Sequence, residues 1–200
     1  MRNFLYINFF STLSLLCELS IYFFIFKSFD KTTLGEYGLL STYVMFIMLV
    51  FDGQLSNFII KTCDGKLSLY LSVIFQVLKL RKFQFAIVFL VVILISNNLV
   101  DINLFFLLLI SQLLTLIEQI LLTKYKIELK VLLSNKINVA SSLSKLMFSF
   151  VVFSEQGDLN AIVLTFVLTK LFFVLCLLYK FAISLKESCE SCENVEFESF

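Results

Sequence analysis

The sequence predicts an all-α fold, a polytopic membrane helix bundle with about six transmembrane helices. Three observations predict it. Sixty per cent of the 200 residues are hydrophobic and only 16% are charged, too few polar groups to cover a soluble protein of this length. The apolar residues fall into six long runs, at 3–26, 37–60, 83–100, 102–123, 137–153 and 159–183. The runs are continuous, without the dyad alternation that marks a membrane β-barrel. A hydrocarbon core about 30 Å thick takes about 20 apolar residues in helical form. Lipid satisfies no backbone N–H or C=O, so each span must be a helix.

Taken in order, the first run is long and bulky and has no small-residue cleavage site. It reads as a retained span rather than a signal peptide. The second opens at Tyr37 and carries Asp52 near its end. The stretch 61–82 mixes Leu67, Leu71, Ile74, Phe75 and Leu78 with Lys66, Lys79, Arg81 and Lys82. Two readings of it stand side by side: a cationic amphipathic helix lying on the inner leaflet, or a cytoplasmic extension of the neighbouring spans. The third and fifth runs are the shortest. The fifth is also the most polar, with Asn138, Ser141, Ser142, Ser144, Lys145 and Ser149, which argues against a lipid-facing position. The fourth and sixth are long and strongly apolar. Residues 1–183 thus form the membrane domain. Residues 184–200, where Glu187, Glu190, Glu193, Glu196 and Glu198 alternate with Ser and Cys, read as a solvated, disordered cytoplasmic tail.

The loop charges give a topology. Arg2, the cluster Lys61 to Lys82, the cluster Lys124 to Lys136, and Lys180 with Lys186 place twelve cations on one side, against Lys27 and Lys31 on the other. By the positive-inside rule this asymmetry puts both termini in the cytoplasm and requires an even number of spans.

Much chemistry is excluded. The chain has no histidine, so imidazole catalysis and imidazole metal sites are absent. It has no phosphate-binding loop of the nucleotide-hydrolase kind. Cys189 and Cys192 form a lone pair with no further ligands beside them, short of the four a structural zinc needs. A net charge of +1 gives no pull toward nucleic acid. The chain therefore reads as a non-enzyme with no cofactor and no bound metal.

The informative residues are the charges inside the spans: Glu18 in the first, Asp52 in the second, Glu118 in the fourth, Lys145 in the fifth and Lys170 in the sixth. Each costs about 2.5–3.5 kcal/mol at a helix centre on insertion scales. They read either as the lining of a polar translocation path, with Lys145 and Lys170 meeting an anionic group, or as internal acid–base pairs that hold the bundle together. Glu18, Asp52 and Glu118 are the candidate gating or ion-coupling groups.

The segment Leu34-Gly35-Glu36-Tyr37-Gly38-Leu39-Leu40-Ser41 opens the second run, and Phe51-Asp52-Gly53-Gln54-Leu55 closes its apolar part. Together with the basic amphipathic stretch that follows, these resemble the polysaccharide flippases of the multidrug/oligosaccharidyl-lipid/polysaccharide exporter superfamily. The spacing Gly35-Glu36-Tyr37-Gly38 is shorter than in many members. At these positions Gly35 is expected to permit a tight turn, Gly38 a close helix approach, and Tyr37 an interfacial anchor. Six spans match one N-terminal half of such a protein, so the resemblance implies a truncated or split chain, or a half that pairs with a second copy or a missing C-terminal lobe. It implies translocation of an undecaprenyl-pyrophosphate-linked oligosaccharide, a polysaccharide repeat unit such as that of O-antigen, across the bacterial inner membrane. The alternatives are a lobe of a cation-coupled multidrug exporter and a membrane remnant that transports nothing.

Overall fold

The computed structural model of the protein describes residues 2–52, 55–63, 101–127, 130–155 and 157–197, with 70, 72–74, 76, 79 and 92 between them. Side chains are described within these over 5–49, 55, 57–63, 101–127, 130–155 and 157–183 and at the single positions. The elements are α1 (Arg2–Ser28), α2 (Lys31–Asp52), α3 (Leu55–Cys63), α4 (Ile102–Ile127), α5 (Val131–Ser154) and α6 (Leu159–Phe197). No strand occurs among the described residues.

Among the described residues, four segments are long and apolar enough to cross a membrane: Leu5–Ser28, Ile102–Ile127, Val131–Ser154 and Leu159–Ile183. The second expected span corresponds to α2 and α3. The third expected span lies outside the described residues apart from Val92. The backbone of α6 is helical to Phe197, through most of the acidic segment that composition alone reads as a tail.

α4 is the central helix. It packs most extensively on α6 and also touches α2, α3 and α5, while α1 rests mainly on α5. The main core joins Ile21 and Ile25 of α1, Tyr37 to Ile47 of α2, Leu104 to Leu109 of α4, and Leu159 to Phe166 of α6. A second, smaller core gathers Leu55, Ile59 and Cys63 of α3 with Tyr70, Val73 and Ile127. Tyr70 is fastened there: its hydroxyl donates to the Ile120 carbonyl at 2.5 Å and its ring lies 5.8 Å from that of Phe181. Part of the 61–82 stretch is therefore packed onto α4 and α6.

Among the described residues, three helices, α2, α4 and α6, each have an aspartate ahead of the first turn. Asp30 accepts from the Thr33 amide at 3.4 Å, Asp101 from the Leu104 amide at 2.9 Å, and Asp158 from the Ala161 amide at 2.8 Å. These carboxylates satisfy orphan N–H groups and meet the positive end of each helix dipole. Asn160 donates to the second oxygen of Asp101 at 3.4 Å, tying α6 to the start of α4. Gly157 closes the α5–α6 turn, its amide donating to the Val152 carbonyl at 2.9 Å; a Cβ there would run into the Val152 side chain.

Polarity runs inside out. Phe9, Phe23, Met45, Met147, Phe148 and Phe172 face outward, while Glu118, Lys170, Ser134, Ser141, Ser142 and Ser149 are buried. This is the arrangement a helix bundle needs in lipid, where apolar side chains meet the solvent and polar ones find partners inside.

Candidate functional site

α5 shows how the site is placed. Ser134, Asn138, Ser141, Ser142, Lys145 and Ser149 recur at three- and four-residue spacing, so they lie along one face of the helix. That face turns inward and the Met147, Phe148 and Phe150 face turns out. One hydroxyl and two amides on or beside this face join α5 to its neighbours, while the Ser134 and Ser141 hydroxyls are buried with no hydrogen-bond partner among the described residues. Ser142 and Ser14 of α1 share a hydrogen bond at 2.8 Å, Asn135 donates to the Ile7 carbonyl at 3.4 Å, and Gln119 of α4 donates to Asn138 at 3.4 Å. Ser149 is satisfied within its own helix, donating to the Lys145 carbonyl at 2.7 Å.

One cavity of about 160 Å³ lies among α1, α2, α4, α5 and α6. Glu18, Tyr22, Tyr37, Ser111, Gln112, Thr115, Lys145, Phe166 and Lys170 line it, together with Ile21 and Leu108. Beside it a polar groove of about 340 Å³ lies between α1 and α5, lined by Ser11, Thr12, Ser14, Asn135 and Asn138. Glu18 belongs to the walls of both.

The two lysines differ. The Lys170 ammonium is held by Glu118 at 2.5 Å, with both side chains buried. The second carboxylate oxygen of Glu118 is buried with no hydrogen-bond partner among the described residues. The Lys145 ammonium has no ion pair among the described residues. It stands 4.7 Å from the centre of the Phe166 ring, a cation–π contact. Glu18 faces the same cavity, likewise without an ion pair among the described residues. So one acid–base pair is closed and the other two charges stand open on the cavity wall.

Of the residues singled out from sequence, Glu18, Tyr37, Lys145 and Lys170 meet at this cavity, and Glu118 stands behind it as the partner of Lys170. The Asp52 side chain lies outside the described residues; its backbone is the last residue of α2. Two expectations about the glycines need correction. Asp30 starts α2 at Lys31, so Gly35 lies within the helix rather than in a turn. Gly38 has open space where a Cβ would stand, so no described part of the chain makes the close approach expected there. Tyr37 is buried in the core and on the cavity wall.

Sequence reasoning passed over Tyr22, Ser111, Thr115 and Phe166. Their signal is helical spacing from charged residues: Tyr22 is four past Glu18, Ser111 and Thr115 are seven and three before Glu118, and Phe166 is four before Lys170. No family model matches the chain, and no characterised protein or solved structure matches it.

Proposed function

We propose that this chain is a membrane transport lobe that carries the anionic head of a lipid-linked oligosaccharide across the bacterial inner membrane, with both termini in the cytoplasm. The observation that carries the reading is Lys145: a cation on the wall of a polar cavity, inside a bundle with an apolar exterior, with no ion pair among the described residues. A charge left open in such a place is costly unless an opposite charge visits it. Lysine serves phosphate as a point charge. The reading keeps six crossings, with α2 and the 83–100 segment as the remaining two. It also needs a second copy or a second lobe, because alternating access turns on two bodies moving about one site.

An apolar groove of about 460 Å³ between α5 and α6, lined by Phe148, Leu168, Phe172 and Phe173, supports a lipid-borne cargo. Ser144 and Thr169 on its wall are chain neighbours of Lys145 and Lys170, so a tail in the groove lies close to a head in the cavity.

The test is complementation. The chain and its Lys145→Met variant are expressed at equal level in a bacterium lacking its O-antigen flippase, and surface polysaccharide is blotted. The wild type restores polymer and the variant does not. Full polymer from the variant removes Lys145 from the mechanism.

One observation favours a second reading, a lobe of a cation-coupled multidrug exporter. Glu18 stands in both pockets without an ion pair among the described residues, where a cation could reach it. On that reading Glu18→Gln raises dye accumulation in cells and leaves polysaccharide untouched.

A further inference from the structure

We infer that the cavity takes a zwitterion, a ligand whose phosphate-like anion meets Lys145 and whose ammonium group meets Glu18. The inference deepens the proposed function by narrowing its anionic head to one that also bears an ammonium group, and rests on that reading only in taking this cavity as the ligand site.

The four charges of the cluster are unequally engaged. Glu118 and Lys170 neutralise each other at 2.5 Å. Glu18 and Lys145 line the same cavity, and neither side chain makes a hydrogen bond or ion pair among the described residues. The cavity therefore shows a ligand one open carboxylate and one open ammonium. In a medium of low dielectric the repulsion between like charges is strong. A ligand that is only anionic carries its charge into the field of Glu18, and one that is only cationic meets Lys145. A ligand with both charges satisfies both walls.

Size agrees. A cavity near 150 Å³ holds benzene. The space here, about 160 Å³, suits a headgroup of roughly six to eight non-hydrogen atoms. Gln112 and Thr115 add uncharged hydrogen-bonding groups to the wall. The Thr115 hydroxyl donates to the Ser111 carbonyl at 2.9 Å, which leaves its oxygen free to accept from an ammonium.

The same chemistry comes from two sources, a lipid headgroup or a small soluble molecule, so the experiment has two arms. The full chain is held in phosphatidylglycerol nanodiscs and binding is measured by calorimetry. The soluble arm compares phosphoethanolamine with ethyl phosphate, which lacks the amine. The lipid arm compares short-chain phosphatidylethanolamine with short-chain phosphatidylethanol. The amine-bearing probe is expected to bind about tenfold tighter than its partner. A preference in the lipid arm alone supports the inference and assigns a lipid headgroup. A preference in the soluble arm alone supports it and assigns a free zwitterion, and a preference in both arms supports it and assigns the headgroup the two probes share. No preference in either arm, or no binding at all, overturns it.

Glu18→Gln is expected to abolish the preference and to leave the amine-free probe bound at least as tightly. A preference that survives this change overturns the role of Glu18. The wild-type comparison decides the zwitterion question even where the variant fails to fold. Because binding is read apart from transport, a failed complementation with the preference intact sinks the transport reading and leaves this one standing.

Discussion

Two lysines on adjacent helices carry the same charge into the same bundle and are treated in opposite ways. Lys170 of α6 is buried against Glu118 of α4, 2.5 Å away. Lys145 of α5 stands on the cavity wall with an aromatic ring for company. The first arrangement answers the desolvation of a charge by a partner on a neighbouring helix. The second leaves much of that desolvation unanswered. Stability explains the first and offers no reason for the second; on the proposed reading the open lysine is the working site and the closed pair its support.

The largest expected effect breaks the closed pair. Glu118→Gln leaves Lys170 buried without its counter-charge and is expected to lower stability by about 3–5 kcal/mol, the usual loss when one member of a buried pair is removed. The double change Glu118→Gln with Lys170→Met is expected to recover most of it, since replacing a buried pair by apolar groups is often neutral. The buried thiols of Cys17 and Cys63 give a readout: with exposed thiols blocked first, their reaction with a fluorogenic dye on heating reports the unfolding midpoint. Single variants that unfold at the wild-type temperature would mean that Glu118 and Lys170 are not a structural pair.

The open lysine makes the opposite prediction. Lys145→Met removes an unpaired charge, so the unfolding midpoint is expected to hold or rise while anion binding falls at least about tenfold. A loss of stability as large as that of Glu118→Gln would collapse the contrast between the two lysines.

How much of this contrast was legible in the sequence follows from the range of the interactions. The polar face of α5 was legible, because Asn138, Ser141, Ser142, Lys145 and Ser149 repeat at helical spacing. Internal pairing stood in the sequence only as one of two readings, the other placing Lys170 with Lys145 on an anionic group. Which acid meets which lysine was not legible, because Glu118 and Lys170 are 52 residues apart and their meeting depends on how α4 packs on α6. Gly35 and Gly38 drew a turn and a close approach from a local pattern, yet the aspartate a few residues earlier already decides where α2 begins. The sequence reading passed over the caps Asp30, Asp101 and Asp158, although each stands just before a helix.

The described helix starts also differ in how they are capped. α2, α4 and α6 start under aspartate caps. In α5, Lys130 occupies the cap position and makes no side-chain cap hydrogen bond. Asp101→Ala is expected to cost about 1 kcal/mol, as for other N-caps, and to loosen α6 through its contact with Asn160. Asp101→Asn, which keeps an accepting oxygen, is expected to recover most of the loss. If both variants unfold with the wild type, Asp101 does not hold the start of α4.

A smaller effect is expected at Ser142. Its hydroxyl bond to Ser14 joins α1 to α5 at 2.8 Å beside the polar groove. Interhelical hydrogen bonds in membrane bundles average about 0.6 kcal/mol, so Ser142→Ala is expected to lower the unfolding midpoint slightly. Double-mutant cycles with Ser14→Ala give the coupling directly, and a value near zero would leave apolar packing as what holds α1 to α5.

The smallest effect concerns the exposed cap Asp30, outside the membrane-crossing segments. The Thr33 hydroxyl donates to its carboxylate, and the Thr33 and Thr32 amides add to the effect; these hydrogen bonds hold its pKa below the ordinary value against a slight opposing pull from desolvation. A carboxyl whose folded pKa is depressed contributes stability that is fully present above its unfolded pKa, about 3.9, and is lost as pH falls through the folded value. The gap in unfolding midpoint between wild type and Asp30→Ala is therefore expected to be constant above about pH 5 and to narrow below about pH 4. A gap that persists unchanged into stronger acid would show that the neutral carboxyl caps as well as the charged one, and that the dipole of α2 adds nothing at this end.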